Sequence, residues 1–209
     1  GGPDGPFDTL DLGIAPIDTD GVQLPSGALN LDVGNTGTLD HAALGRTAVR
    51  FGRLKLNNAF GSESLDLPIP LEAQYWNGTV FAVNGLDNCT SLNAGNIALG
   101  NYAKGLNATN MGTSHISMGG AFVNGKGSLK LTKPSSAALG SVDLAINLGL
   151  GLGGIDQSCP AWTKTSNGVG MAYLRGRWCG ANYDRDPRAR VTFGIYKNAN
   201  DFIYMREMY

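Results

Sequence analysis

Charge is scarce in this chain. Lys, Arg, Asp and Glu make up 16% of its 209 residues, well under the quarter usual for a soluble domain. They nearly cancel, to a net charge of −1, so no basic field exists to attract nucleic acid or an anionic membrane. No apolar run reaches the roughly 18 residues that a transmembrane helix needs. The opening, GGPDGP, has neither a basic nor an apolar stretch of the kind a signal peptide carries. An exported protein would therefore contain this chain as a processed or excised part, with residues 1–6 as the remnant of a linker. Helical periodicity is missing beyond one or two turns. So are the usual signatures of catalysis: no Gly-x-Ser-x-Gly elbow, no His-Glu-x-x-His, no phosphate-binding Walker loop. The two histidines, His41 and His115, lie in unrelated polar surroundings, and no spacing nominates a carboxylate pair for glycoside hydrolysis. The expectation is a protein that is not an enzyme.

Cysteine is rare and odd in number: Cys89, Cys159 and Cys179. Cys159 and Cys179 bracket 19 residues, and a bridge between them would remove about 3 kcal/mol of denatured-state entropy. Cys89 is then free or paired outside this sequence. Zinc is disfavoured, since no two cysteines are close and histidine is sparse.

What the chain does have is glycine, 31 residues, and alternation. Phe7–Ile17 reads as a first strand that stops at Pro16. Ala48–Leu56 is a strand with Gly52 at a bulge. Leu65–Tyr75 alternates most clearly: Leu65, Leu67, Ile69, Leu71, Ala73 and Tyr75 take one face, and Pro68 and Pro70 share the other. Two prolines lacking N–H groups place that strand at a sheet edge or a bend between sheets. Asn77-Gly78 and Asn124-Gly125 mark hairpins with type I′ turns. Asn96–Leu106 is a further short strand. At the C-terminus, Arg190–Tyr196 and Phe202–Arg206 flank a polar loop and read as a hairpin around which the fold is organised. The first run alternates, whereas in the second Ile203 and Met205 oppose Phe202 and Tyr204, and a strand apolar on both faces belongs in the middle of a sheet.

Val142–Leu152 puts Val142, Leu144, Ile146, Leu148, Leu150 and Leu152 on one face. Asp143, Ala145, Asn147, Gly149 and Gly151 lie on the other. A glycine-lined face admits another backbone, a flat ligand or a neighbouring subunit. It also fits a strand running out into a loop. Gly149, Gly151 and Gly154 match G-x-G-x-x-G formally, but no helix follows, so the dinucleotide reading fails.

Two stretches could bind ligands. Trp162, Tyr173, Trp178 and Tyr183 lie among Arg175 and Arg177. Rings stack on sugar faces and guanidinium groups donate to hydroxyls, although the same residues can simply pin a loop to a sheet. Asp18, Asp20, Asp32 and Asp40 are candidate calcium ligands through their carboxylate oxygens. The alternative is an Asp-rich turn bonding its own backbone.

Several segments together carry a resemblance. RFGRLKLNNAFGSESLDLPIPLEAQYWNGTVFAVNGLDNCTSL, SVDLAINLG and DPRARVTFGIYKNANDFIYMREMY resemble the C-terminal domain, of unknown function, of MshQ-like proteins. These are large bacterial surface proteins associated with MSHA-type (type IV) pilus biogenesis. The likeness runs from about Phe7 to Tyr209 and includes Phe51-Gly52-Arg53-Leu54, Pro68 and Pro70, Tyr75-Trp76, Cys89-Thr90, and Ala189-Arg190 through Phe193–Tyr196. Between Ser158 and Arg185 the chain departs from the pattern: the segment before the Asp-Pro-x-Ala-Arg motif is longer and carries two cysteines. That leaves a calcium-binding acidic turn there with only Asp184 and Asp186. The resemblance implies an exported domain of a multidomain protein, tied to a pilus or cell surface, and brings no catalytic residues.

The expected architecture is all-β, a β-sandwich or two packed β-subdomains with long loops and little helix. It is taken as one domain over residues 7–209, with any subdivision near residue 110. The expected role is adhesion, or a pilus-tip or assembly function, at the bacterial surface, with pilus components, surface glycans or proteins as partners. A self-assembling filament or surface-layer subunit joined by strand edges, or a carbohydrate-binding module, is the alternative.

Overall fold

A computed structural model describes residues 2–17, 19–22, 24–150 and 159–194. Among these residues the chain is all-β, with no α-helix and a few single turns of 3₁₀ helix. It divides into two units. One comprises Pro3–Phe51 and Trp76–Phe81, and the other comprises essentially Gly52–Tyr75 and the chain from Ala82. The division falls at Phe51/Gly52, and residue 110 lies inside the second unit.

In the first unit β1 (Phe7–Ile14) pairs antiparallel with β2 (Ala42–Val49). Their register sets Asp11 opposite Arg46, and Arg46 Nε donates to Asp11 Oδ1 at 2.6 Å. Phe81 packs edge-on against Trp76, with centroids 5.3 Å apart, and lies 6.3 Å from Phe51. The Asn77-Gly78 turn is not type I′. Only Gly78 has a positive φ, and Asn77 Oδ1 accepts the N–H groups of Thr79 and Val80, a side-chain-closed turn. The stretch read as one strand, Ala48–Leu56, is two. β2 ends at Val49, and β3 (Gly52–Leu56) starts a different sheet.

The second unit is a sandwich of two sheets. One runs in the order β3, β5 (Leu67–Trp76), β9 (Lys126–Leu131) and β8 (Ile116–Met118), with β6 (Phe81–Val83) also pairing β5. The other runs β4 (Ala59–Gly61), β11 (Arg188–Phe193), β10 (Gly140–Ile146) and β7 (Ile97–Lys104). Only the β4–β11 pairing is parallel in that sheet. Alternation sends Leu54, Ile69, Leu71, Leu129 and Leu131 inward from the first sheet. Ile97, Val142, Leu144, Ile146, Val191 and Phe193 come inward from the second. All lie at or below 2% exposure in one apolar cluster. Period-two side-chain placement is what makes such a two-layer core.

The prolines of β5 are not at a sheet edge. β5 is flanked by β3 and β9, yet the reasoning behind the expectation survives locally. β3 pairs only with Leu71–Tyr75, while β9 pairs with Leu67–Glu72. Pro70 O accepts Asn57 N–H on the β3 side, and Ala73 N–H donates to Gly125 O on the β9 side. The N–H groups missing at Pro68 and Pro70 would thus point to where β3 has already ended. The Asn124-Gly125 turn is as expected: φ is 50° and 75°, and Val123 and Lys126 exchange backbone hydrogen bonds. Strand β11 is central, between β4 and β10, while the expected second hairpin arm, Phe202–Arg206, lies outside the described residues.

Candidate functional site

Strand β10 positions the chemistry. It is bonded on both sides, by β11 and β7, so its edges are not available to another chain. The glycine-faced run that follows it is met by the chain's own backbone. Val169 N–H donates to Asn147 O and Gly170 N–H to Gly149 O, while Asn147 Nδ2 donates to Ser166 O. A Cβ on Gly168 would lie 2.4 Å from Gly149 O. Gly151 lies outside the described residues.

Asp143 is the charged residue of β10, on the face away from the core. It is 3% exposed and well satisfied. Arg190 of β11 donates from Nε to Oδ1 at 2.7 Å and from Nη2 to Oδ2 at 3.0 Å, and Asn101 Nδ2 donates to Oδ2 at 2.7 Å. Asn101 reaches it because β7 bulges there. The register slips between Ser141 and Asp143, and Asn101 takes a φ of 48°. Burial pushes the Asp143 carboxyl up. The hydrogen bonds from Arg190 and Asn101, then the charges of Arg190 and Arg188, outweigh it, and the result is a pKa below the ordinary 3.8. Asn58, Asp143, Arg188, Ala189 and Arg190 line a cleft of about 330 Å³. Arg188 Nη1 also donates to Cys159 O at 3.3 Å. Trp162 lies on the same face, because its ring covers Gly100, the partner of Asp143 across β7; a Cβ there would meet the ring at 2.4 Å. Cleft and indole together offer the Arg188 and Arg190 guanidinium groups, the Asn58 amide and an apolar ring. That set can hold a polar, hydroxyl-rich or anionic molecule.

The irregular segment beyond is closed by the Cys159–Cys179 disulfide, as expected, with Cα atoms 5.7 Å apart. Cys89 is a free, exposed thiol. The six aromatic and basic residues expected to form a platform have several different partners. Trp162 sits on β7. Trp178 is sandwiched between the Gly176 backbone and the Arg53 guanidinium, 4.8 Å from the ring centroid. Tyr183 lies near Arg53, whose guanidinium burial pushes below its ordinary pKa. Tyr173 is 74% exposed. Arg177 Nε donates to Gly180 O. Arg175 points inward, where its Nε donates to Asp186 Oδ1 at 2.8 Å.

Asp186 and Lys164 are both fully buried, and Lys164 Nζ bonds Asp186 Oδ2. Asp186 thus serves interior cations rather than a surface turn, and Asp184 lies beside Arg185 at 3.2 Å. Nothing in sequence marks Lys164. Asp143 and Arg190 stood out only as charges in strands otherwise rich in apolar residues.

The remaining acidic residues fold their own loops. Asp32 accepts the N–H groups of Thr36 and Gly37, and Asp40 accepts Val33 N–H and bonds His41 Nδ1. These bonds hold both carboxyls below the ordinary 3.8. Asp20 accepts Val22 N–H at 3.4 Å, and Asp18 lies outside the described residues. Among the described residues no three His, Cys, Asp or Glu side chains gather closely enough to hold a metal ion. His115 sits in a 3₁₀ turn, 3.1 Å from Ser135 Oγ.

No curated protein and no solved structure matches the chain. The sandwich unit coincides with a family match over residues 50–208, which starts two residues before β3, and on that match the chain belongs to the DUF6701 family as its fourth domain.

Proposed function

We propose that this chain works outside the cell as a non-catalytic domain of a bacterial surface protein, in adhesion or at the tip or assembly point of a type IV pilus. The observation that carries the reading is the Cys159–Cys179 disulfide, closed over an otherwise irregular segment. Bonds of this kind persist in oxidising, extracytoplasmic compartments. The low charge and an all-β scaffold that leaves recognition to loops and outer faces support it. The finer assignment, to the C-terminal domain of MshQ-like proteins of MSHA-type pilus biogenesis, rests on the likeness in Phe51–Leu54, Tyr75-Trp76 and Asp186–Tyr196. Immunogold labelling and pull-down with pilins test it. Label at the cell surface and recovery of pilus subunits are expected; a cytoplasmic, pilus-free location ends the proposal.

A second reading, a carbohydrate-binding module, is favoured by the cleft of Asn58, Asp143, Arg188 and Arg190 beside Trp162. A glycan array probed with the wild type and with Arg188→Ala decides it. Sugar binding that falls at least tenfold in the variant supports this reading, and an array with no retained glycan removes it. Self-assembly through strand edges would use strands other than β10, which is bonded on both sides.

A further inference from the structure

Lys164 and Asp186 meet where water does not reach. Neither side chain has exposed surface, and Nζ faces Oδ2 while Arg175 holds Oδ1 at 2.8 Å. A lysine ammonium is a compact, strongly hydrated charge on a flexible stem, and here it is held against a carboxylate out of reach of water. Both residues are also fixed in place. Lys164 follows Cys159, Asp186 follows Cys179, and the disulfide joins those two points. Asp186 leads directly through the buried Pro187 into β11, the centre of its sheet. Two reacting groups held at contact in a dry site have a very large effective concentration, and the exclusion of water opposes the reverse hydrolysis.

We propose that Lys164 and Asp186 are joined by a side-chain amide, formed by the folded domain without a cofactor. Starting from the ion pair, the ammonium passes a proton to Oδ2, and the freed Nζ lone pair attacks Cγ. The developing negative charge on Oδ1 is met by the Arg175 guanidinium. The Cγ–Oδ2 bond then breaks, a second proton moves from Nζ to Oδ2, and one water leaves. The amide keeps one N–H and the charges cancel, so no oxidant or reductant is consumed. The bond would close a second loop that overlaps the disulfide loop and is indifferent to reductant. Dehydration of Asp186 to a succinimide is ruled out chemically, because Pro187 has no N–H to attack with.

The test is intact mass spectrometry of the purified chain after full denaturation and reduction, with peptide mapping. The expected mass is below that of the sequence by one water, about 18 Da, and the map contains a branched peptide joining Lys164 to Asp186. Asp186→Asn should lose ammonia instead, about 17 Da, through the same branch. Lys164→Met should lose nothing. Arg175→Gln, refolded alongside the wild type, should close the link more slowly; an equal rate removes Arg175 from the step. A wild-type mass equal to the sequence mass, or a water loss that maps elsewhere, overturns the proposal and leaves a plain buried ion pair.

Discussion

Asp143 and Arg190 share one hydrogen-bonded pair unequally. Asp143 is nearly buried, whereas the Arg190 side chain is 51% exposed. Removing either residue therefore leaves a different remainder. Arg190→Ala strands a buried carboxylate on Asn101 alone and is expected to cost about 3 kcal/mol. Asp143→Ala returns a half-exposed guanidinium to water and is expected to cost about 1–2 kcal/mol. Denaturant melts of the two variants check the order, and the reverse order contradicts the account. The pH dependence has a definite sign. The folded-state pKa of Asp143 lies below its unfolded value, so its contribution is complete above the unfolded value, about 3.9. It is lost as pH falls through the depressed folded value. Stability should drop on acidification below about pH 4, with a shallower drop in Asp143→Ala. In sequence Asp143 is legible as the polar side of an alternating strand. Its partners are not, because Asn101 and Arg190 arrive from strands distant along the chain and only register brings them together.

The strands themselves were largely readable, since alternation is a local property and places Leu67–Ala73, Val142–Ile146 and Ala189–Phe193 without knowledge of neighbours. Which strands lie next to each other is decided by pairing at long range, and β5 is not the edge strand that its prolines suggest. Pro68 and Pro70 do mark missing hydrogen bonds, but inside a strand whose partner β3 is shorter than β5. Pro68→Ala is accordingly expected to change stability by no more than about 0.5 kcal/mol. Gly125→Ala should cost more, about 1–3 kcal/mol, because its φ is 75° and a Cβ would sit 2.4 Å from Asn84 O. Thermal melts compare the two directly. Gly100→Ala should displace the Trp162 ring that covers it. The tryptophan emission is expected to shift red as the indole gains water, and unchanged emission would contradict the placement of Trp162. Long-range partners also set the aromatic and arginine segment: Arg175 is drawn inward by Asp186, and Arg53, from β3, lies over Trp178.

At the scale of the molecule, the sandwich has its own core, and the family match starts where that unit starts. A chain of residues 50–209 is expected to fold to an all-β circular dichroism spectrum with a cooperative melt; a non-cooperative melt would show that the core needs more than its own strands. Reduction of Cys159–Cys179 should lower stability by about 3 kcal/mol while leaving the sandwich folded. The central claim is that this domain does its work in an oxidising place beyond the cytoplasm, and the redox state of that cysteine pair in living cells tests it most directly. Cells are quenched in acid, free thiols are blocked with one alkylating reagent, and those released by reductant are labelled with a second. The account expects Cys159 and Cys179 to carry the second label and Cys89 the first. Cys159 and Cys179 carrying the first label in freshly quenched cells would contradict it.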